Sequence, residues 1–111
     1  MKTIELNISV RLYAIRILND FKGSLDKLAV ILEDIKKFAV TEEDWKKAER
    51  AVEGEGDAVT WKWDDAKGGL KSVEVQDGTV EYLRKAIADK NDKGEFTIAD
   101  KSVLSLNEKI K

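Results

Sequence analysis

Apolar positions along this chain change period several times, and each change marks the end of one element and the start of the next. Residues 3–8, Thr-Ile-Glu-Leu-Asn-Ile, alternate apolar and polar, which puts Ile4, Leu6 and Ile8 on one face of a strand. From Ser9 the spacing turns helical. Val10, Tyr13, Ala14, Ile17, Leu18 and Phe21 share a stripe, with Asn7 or Ser9 able to cap the first amides and Gly23 able to end the helix. Ser24 then caps a second helix whose apolar face is Leu25, Leu28, Ile31, Leu32, Ile35 and Phe38. Thr41-Glu42-Glu43-Asp44 reads as a variant capping box opening a third, short helix, with Trp45, Ala48 and Val52 inward and an end before Gly54-Glu55-Gly56.

Val59, Trp61 and Trp63 alternate with Thr60 and Lys62, a strand signature, and Val73 and Val75 alternate again within residues 71–76. With a turn at 64–69 between them, the pattern predicts a hairpin in which residues 58–63 pair antiparallel with 70–76, and residues 3–8 add a third strand. Asp77-Gly78-Thr79 opens a fourth helix bearing Val80, Leu83, Ala86 and Ile87, with Tyr82 beside the stripe. Thr97-Ile98-Ala99-Asp100 opens a fifth, which buries Val103, Leu104 and Ile110. The expectation is one α+β domain over residues 1–111: about five helices packed with a small antiparallel sheet of about three strands containing a β-hairpin.

A shift of 69 residues places Ile4-Glu5-Leu6-Asn7 on Val73-Glu74-Val75-Gln76, Tyr13 on Tyr82, Arg16 on Lys85 and Asp20 on Asp89. In each copy a strand runs into a helix, a Lys-Gly turn follows, and a serine or threonine caps the next helix. The second copy has two extra residues before Gly94. If the match reflects a duplicated strand-helix-helix unit, two helix pairs sit about a local twofold axis, with residues 3–8 beside residues 71–76; a generic alternating strand leading into a capped helix gives similar matches by chance.

Composition narrows the chemistry. Cysteine and histidine are both absent, which removes disulfides, thiolate sites, most transition-metal sites and the usual general base near neutral pH. An enzyme is therefore not expected, and no cofactor motif is present. The 20 basic and 22 acidic residues nearly cancel, so there is no global field for nucleic acid. No apolar run approaches the ~20 residues of a membrane helix, and no secretory signal opens the chain, so the expected setting is the cytoplasm, with no membrane partner.

Residues 89–100 nearly spell a twelve-residue calcium loop: Asp89, Asn91, Thr97 and Asp100 stand at ligand positions, Gly94 at the sixth and Phe96 at the eighth. Lys93 at the fifth puts an ammonium where a ligand belongs. The same residues also read as a plain helix connection, with Gly94 left-handed, Phe96 in the core, and Thr97 with Asp100 as a cap. Trp61 and Trp63 are the protein-binding candidates, since large aromatics anchor interfaces, and Trp63, beside the turn, is the one expected to be exposed. The carboxylate runs Glu42-Glu43-Asp44 and Asp64-Asp65 sit where caps and turns want acidic groups, without an apolar setting to raise a pKa for catalysis.

The layout of Arg11-Leu12-Tyr13-Ala14-Ile15-Arg16-Ile17-Leu18-Asn19, Val59-Thr60-Trp61, Val73-Glu74-Val75 and Gly94-Glu95-Phe96-Thr97 resembles small proteins of tailed bacteriophages that carry no assigned role. The resemblance implies a viral protein made in a bacterial host and brings no activity with it. The functional expectation is a non-enzymatic phage-type accessory protein that binds a host or phage protein, or itself as a homodimer. The alternative is a degenerate EF-hand-like divalent-cation module at residues 89–100.

Overall fold

The computed structural model describes residues 1–54, 56 and 59–111. The chain runs β1 (Lys2–Leu6), α1 (Ile8–Leu18), α2 (Leu25–Phe38), α3 (Glu42–Lys47), β2 (Ala51–Glu53), β3 (Thr60–Lys62), α4 (Asp65–Gly68), β4 (Lys71–Val75) and α5 (Asp77–Asp92). A 3-10 turn at Ile98–Asp100 then leads into α6 (Ser102–Ile110). This is the expected α+β class, with five helices longer than a single turn.

β1 and β4 pair antiparallel, and Ile4 faces Val73 across the ladder. Both strands bury every second residue, Ile4 and Leu6 in one and Val73 and Val75 in the other, so one sheet face lies on the helices and the other meets water. Ile4 and Val73 are also the residues that the 69-residue shift equates. Equivalent residues standing opposite one another is what a local twofold axis through the pair requires. The helices obey the same symmetry. α1 and α5 each pack on both α2 and α6, α2 lies on β4, and α6 lies on β1. Buried Val10, Arg11, Ala14 and Leu18 of α1 recur as buried Thr79, Val80, Leu83 and Ile87 of α5. Ile31, Asp34 and Phe38 of α2 recur as Val103, Leu106 and Ile110 of α6, 72 residues on. The apolar members of these sets join Ile4, Leu6, Val73 and Val75 in one continuous core.

The residues between the two units form an excursion built of α3, β2, β3 and α4. Two expectations fail here. The third helix stops at Lys47, because Glu49 takes a left-handed φ of 54° and turns the chain. Val52 therefore lies in β2, not on a helix face. The predicted pairing of 58–63 with 70–76 is also replaced: β3 pairs with β2, Val52 opposite Trp61, while β4 pairs only with β1. The expected hairpin exists but is made from the excursion alone, and the strands fall into two separate two-stranded sheets. Ala58 at the start of the predicted strand, and Glu55 in the predicted turn, lie outside the described residues. Within the predicted turn at 64–69, residues 65–68 form the single helical turn α4, capped by Asp64, whose carboxylate accepts from the N–H groups of Ala66 and Lys67.

Helix faces are narrower than the apolar stripes suggest. Leu25 and Leu32 of α2 and Leu104 of α6 are exposed, and Leu106 is the buried residue in α6 that the sequence reading passed over. The caps are as expected: Ser24 accepts from Lys27 N–H, and Thr41 with Asp44 forms a reciprocal capping box. α5 lacks a side-chain cap of its own. Its first N–H, from Gln76, is instead received by Asp34 of α2 at 3.1 Å.

Candidate functional site

The excursion carries all three tryptophans. Trp45 of α3 and Trp63, just past β3, meet edge to face at 5.2 Å between ring centroids. The Arg50 guanidinium lies over Trp45 at 5.0 Å and over Trp61 at 4.5 Å, a cation held between two aromatic faces. A row Trp63, Trp45, Arg50, Trp61 results. It runs from the body of the protein out to the hairpin.

Trp63 anchors the inner end. Its indole N–H donates to Asp65 Oδ1 at 2.9 Å, and Asp65 also accepts from the backbone N–H and the hydroxyl of Ser9, at 3.0 and 2.6 Å. One carboxylate thus caps the first turn of α1 and holds the excursion against it. Gly68 packs α4 as closely: a Cβ there would lie 3.0 Å from Ile8 Cδ1. Arg11 makes the second tether. It is buried in α1 and reaches the Ala39 carbonyl at 3.1 Å and Asp44 Oδ2 at 3.3 Å, with its Nε unpartnered. The Thr41 backbone N–H is the largest influence holding the Asp44 pKa below its ordinary value; partial burial opposes it, and the Thr41 hydroxyl and Arg11 assist.

The outer end is bare. None of the six residues of β2 and β3 is buried, and Trp61 retains 51% of its surface exposed and Val52 52%. Trp61 is therefore the exposed tryptophan, in place of Trp63, whose N–H finds polar partners beside α1. Each hairpin strand pairs only with the other, so among the described residues each has an edge with no strand neighbour. Arg50 and Val52, which complete this face, were missed by sequence reasoning because Val52 fits helical spacing from Trp45 and Ala48.

The calcium-like stretch folds as a helix connection. Asp89 and Asn91 lie in the last turn of α5, Gly94 takes a φ of 64°, and Phe96 packs on the core. Thr97 and Asp100 form a capping box. Asp100 is buried and fully engaged, accepting from Thr97 N–H at 2.9 Å, Tyr13 hydroxyl at 3.1 Å and Arg16 at 3.0 Å, with Lys90 at 3.6 Å. The Thr97 backbone N–H chiefly holds its pKa down to about 2, against burial and with help from Tyr13, Lys90 and the Thr97 hydroxyl. Among the described residues no three Asp or Glu side chains converge as a metal site.

Asp34 is a third buried carboxylate. Burial acts to raise its pKa, yet the nearby Thr79 hydroxyl, the backbone and side-chain N–H groups of Gln76 and the Lys37 ammonium hold it below the ordinary value. The Thr79 hydroxyl stands outside hydrogen-bonding geometry, so the Gln76 and Lys37 contacts carry most of this. No helix among the described residues is long and apolar enough to cross a membrane. Comparison of the chain with protein-family models, with curated proteins and with solved structures finds no match in any of the three.

Proposed function

We propose that the chain is a non-enzymatic accessory protein, of the phage type its sequence resembles, that binds another protein through the β2–β3 hairpin. The observation that carries this is the hairpin itself. It buries none of its strand residues, yet it carries Trp61 and Val52 opposite one another, stiffened by Arg50. Tryptophan and arginine are among the residue types enriched where binding energy concentrates at interfaces. The free strand edges add backbone N–H and C=O groups to which an extended segment can pair. The carboxylates with displaced pKa values, Asp34, Asp44 and Asp100, all move downward, away from what general acid catalysis at neutral pH needs, which supports a non-enzymatic role.

Parallel affinity captures from bacterial lysates, with the unaltered chain and with a Trp61→Ser, Val52→Ser variant, test the proposal. Light scattering runs alongside for self-association. A protein, or a second copy, retained by the first and lost by the second supports it. Identical captures by both, with both chains monomeric, would overturn it.

A further inference from the structure

The two strand-helix-helix units differ where Asp100 sits. In the second unit this carboxylate, three residues past the Thr97 cap, receives the Tyr13 hydroxyl and Arg16 from the other unit's first helix. The 69-residue shift turns Tyr13 into Tyr82 and Arg16 into Lys85; counted from the helix caps, Thr97 corresponds to Ser24, and Asp100, three residues on, to Lys27. Lys90, the remaining neighbour of Asp100, becomes Phe21. All four counterparts, Phe21, Lys27, Tyr82 and Lys85, line one groove of about 880 Å³ between α5 and the turn joining α1 to α2. Where one unit has a carboxylate filling its site, the other has a lysine and open space. Among the described residues no carboxylate lies within 4.0 Å of Lys27 or Lys85. The Tyr82 hydroxyl likewise has no hydrogen-bond partner among them.

The groove floor is apolar, formed by Phe21 edge-on to Tyr82 at 5.1 Å together with Val30, Ile31 and Ala86. Five lysines and five carboxylates line it, so it presents no net field and selects by contact, not by long-range attraction. The volume is in the range of small-ligand sites, about 300–1,000 Å³.

We propose that this groove binds a small amphiphilic carboxylate. Its head group stands where Asp100 stands in the other unit, accepting from Tyr82 and Lys85 with Lys27 adjacent, and its apolar body lies on Phe21, Val30 and Ala86. A charge-assisted hydrogen bond is about twice as strong as a neutral one, so the charged head, not the tail alone, sets the affinity.

The test is amide NMR titration of the whole chain with octanoate, with 1-octanol as the uncharged isostere and with inorganic phosphate as a head group without a tail. Octanoate should saturate shifts clustered at residues 21–31 and 82–86, and octanol and phosphate should each bind about tenfold more weakly or worse. Lys27→Asp, which gives the first unit the carboxylate of the second, should weaken octanoate at least about tenfold without lowering the thermal midpoint. Lys85→Gln should weaken it as well and provides the same reading if the first variant folds poorly. Octanol or phosphate binding as tightly as octanoate, shifts scattered over the surface, or unchanged affinity in both variants would overturn the proposal. The site lies apart from the hairpin, so either reading can fail alone.

Discussion

Replacing Asp34 by alanine tests how the first unit holds the second. Asp34 is fully buried and supplies the acceptor that α5 lacks, taking Gln76 N–H at 3.1 Å and the Gln76 side-chain amide at 3.3 Å, with Lys37 at 3.2 Å. Leaving that N–H desolvated and unpaired costs about 1–3 kcal/mol. Removing a negative charge from beside the N-terminus of the 16-residue α5 adds about 0.3–1 kcal/mol. The sum is about 1–4 kcal/mol. For a chain of this size, that is a fall of the order of 10 °C in thermal midpoint. Asp34→Asn keeps an acceptor but loses the charge and should cost about 1 kcal/mol at pH 7. The pKa of Asp34 is lowered in the folded protein, so its stabilisation is complete above the unfolded value, about 3.9, and is lost as pH falls through the lower folded value. The gap between the parent and Asp34→Asn, followed by thermal unfolding from pH 7 to pH 3, should therefore narrow below about pH 4. An Asp34→Ala variant within about 0.5 kcal/mol of the parent, or a gap that does not change with pH, would refute this account.

Arg11→Ala should destabilise by about 3–5 kcal/mol in urea unfolding, since it strips Asp44 and the Ala39 carbonyl of a buried partner. Trp63→Phe should cost about 1–2 kcal/mol through the lost bond to Asp65, while Trp61→Phe on the exposed hairpin should stay within about 0.5 kcal/mol in the same assay. Millimolar calcium should leave the thermal midpoint unchanged, because Asp89 and Asn91 belong to a helix and Asp100 already has its donors; micromolar binding by calorimetry, abolished by Asp89→Ala, would restore the cation-site reading.

Local signals in the sequence translated well. Ser24 and Thr41 cap the helices that the sequence assigns to them, Thr97 caps the 3-10 turn that leads into α6 instead of α6 itself, and period-two alternation locates β1 and β4, because these features depend on residues a few positions apart. Which strand meets which depends on the whole chain. The 69-residue shift already pointed to β1 beside β4, but alternation at Trp61 and Trp63 offered a nearer partner, and only Glu49's left-handed turn frees Val52 to pair with Trp61 instead. The inward turn of Trp63 escapes the sequence for a similar reason: one of its polar partners, Ser9, lies 54 residues away. The groove was not legible in the sequence, since it forms between α5 and the turn joining α1 to α2, which lie far apart along the chain.

The central claim is a division of labour, in which the paired units supply stability and the hairpin is left free to make contact. Native-state hydrogen exchange of the isolated protein tests it most directly. The account predicts that the paired amides of β1 and β4 exchange only through global unfolding, while those of β2 and β3 exchange through local opening at far lower cost. Equal, global-level protection in both sheets would mean that the hairpin is part of the structural core and would contradict its assignment as the contact surface.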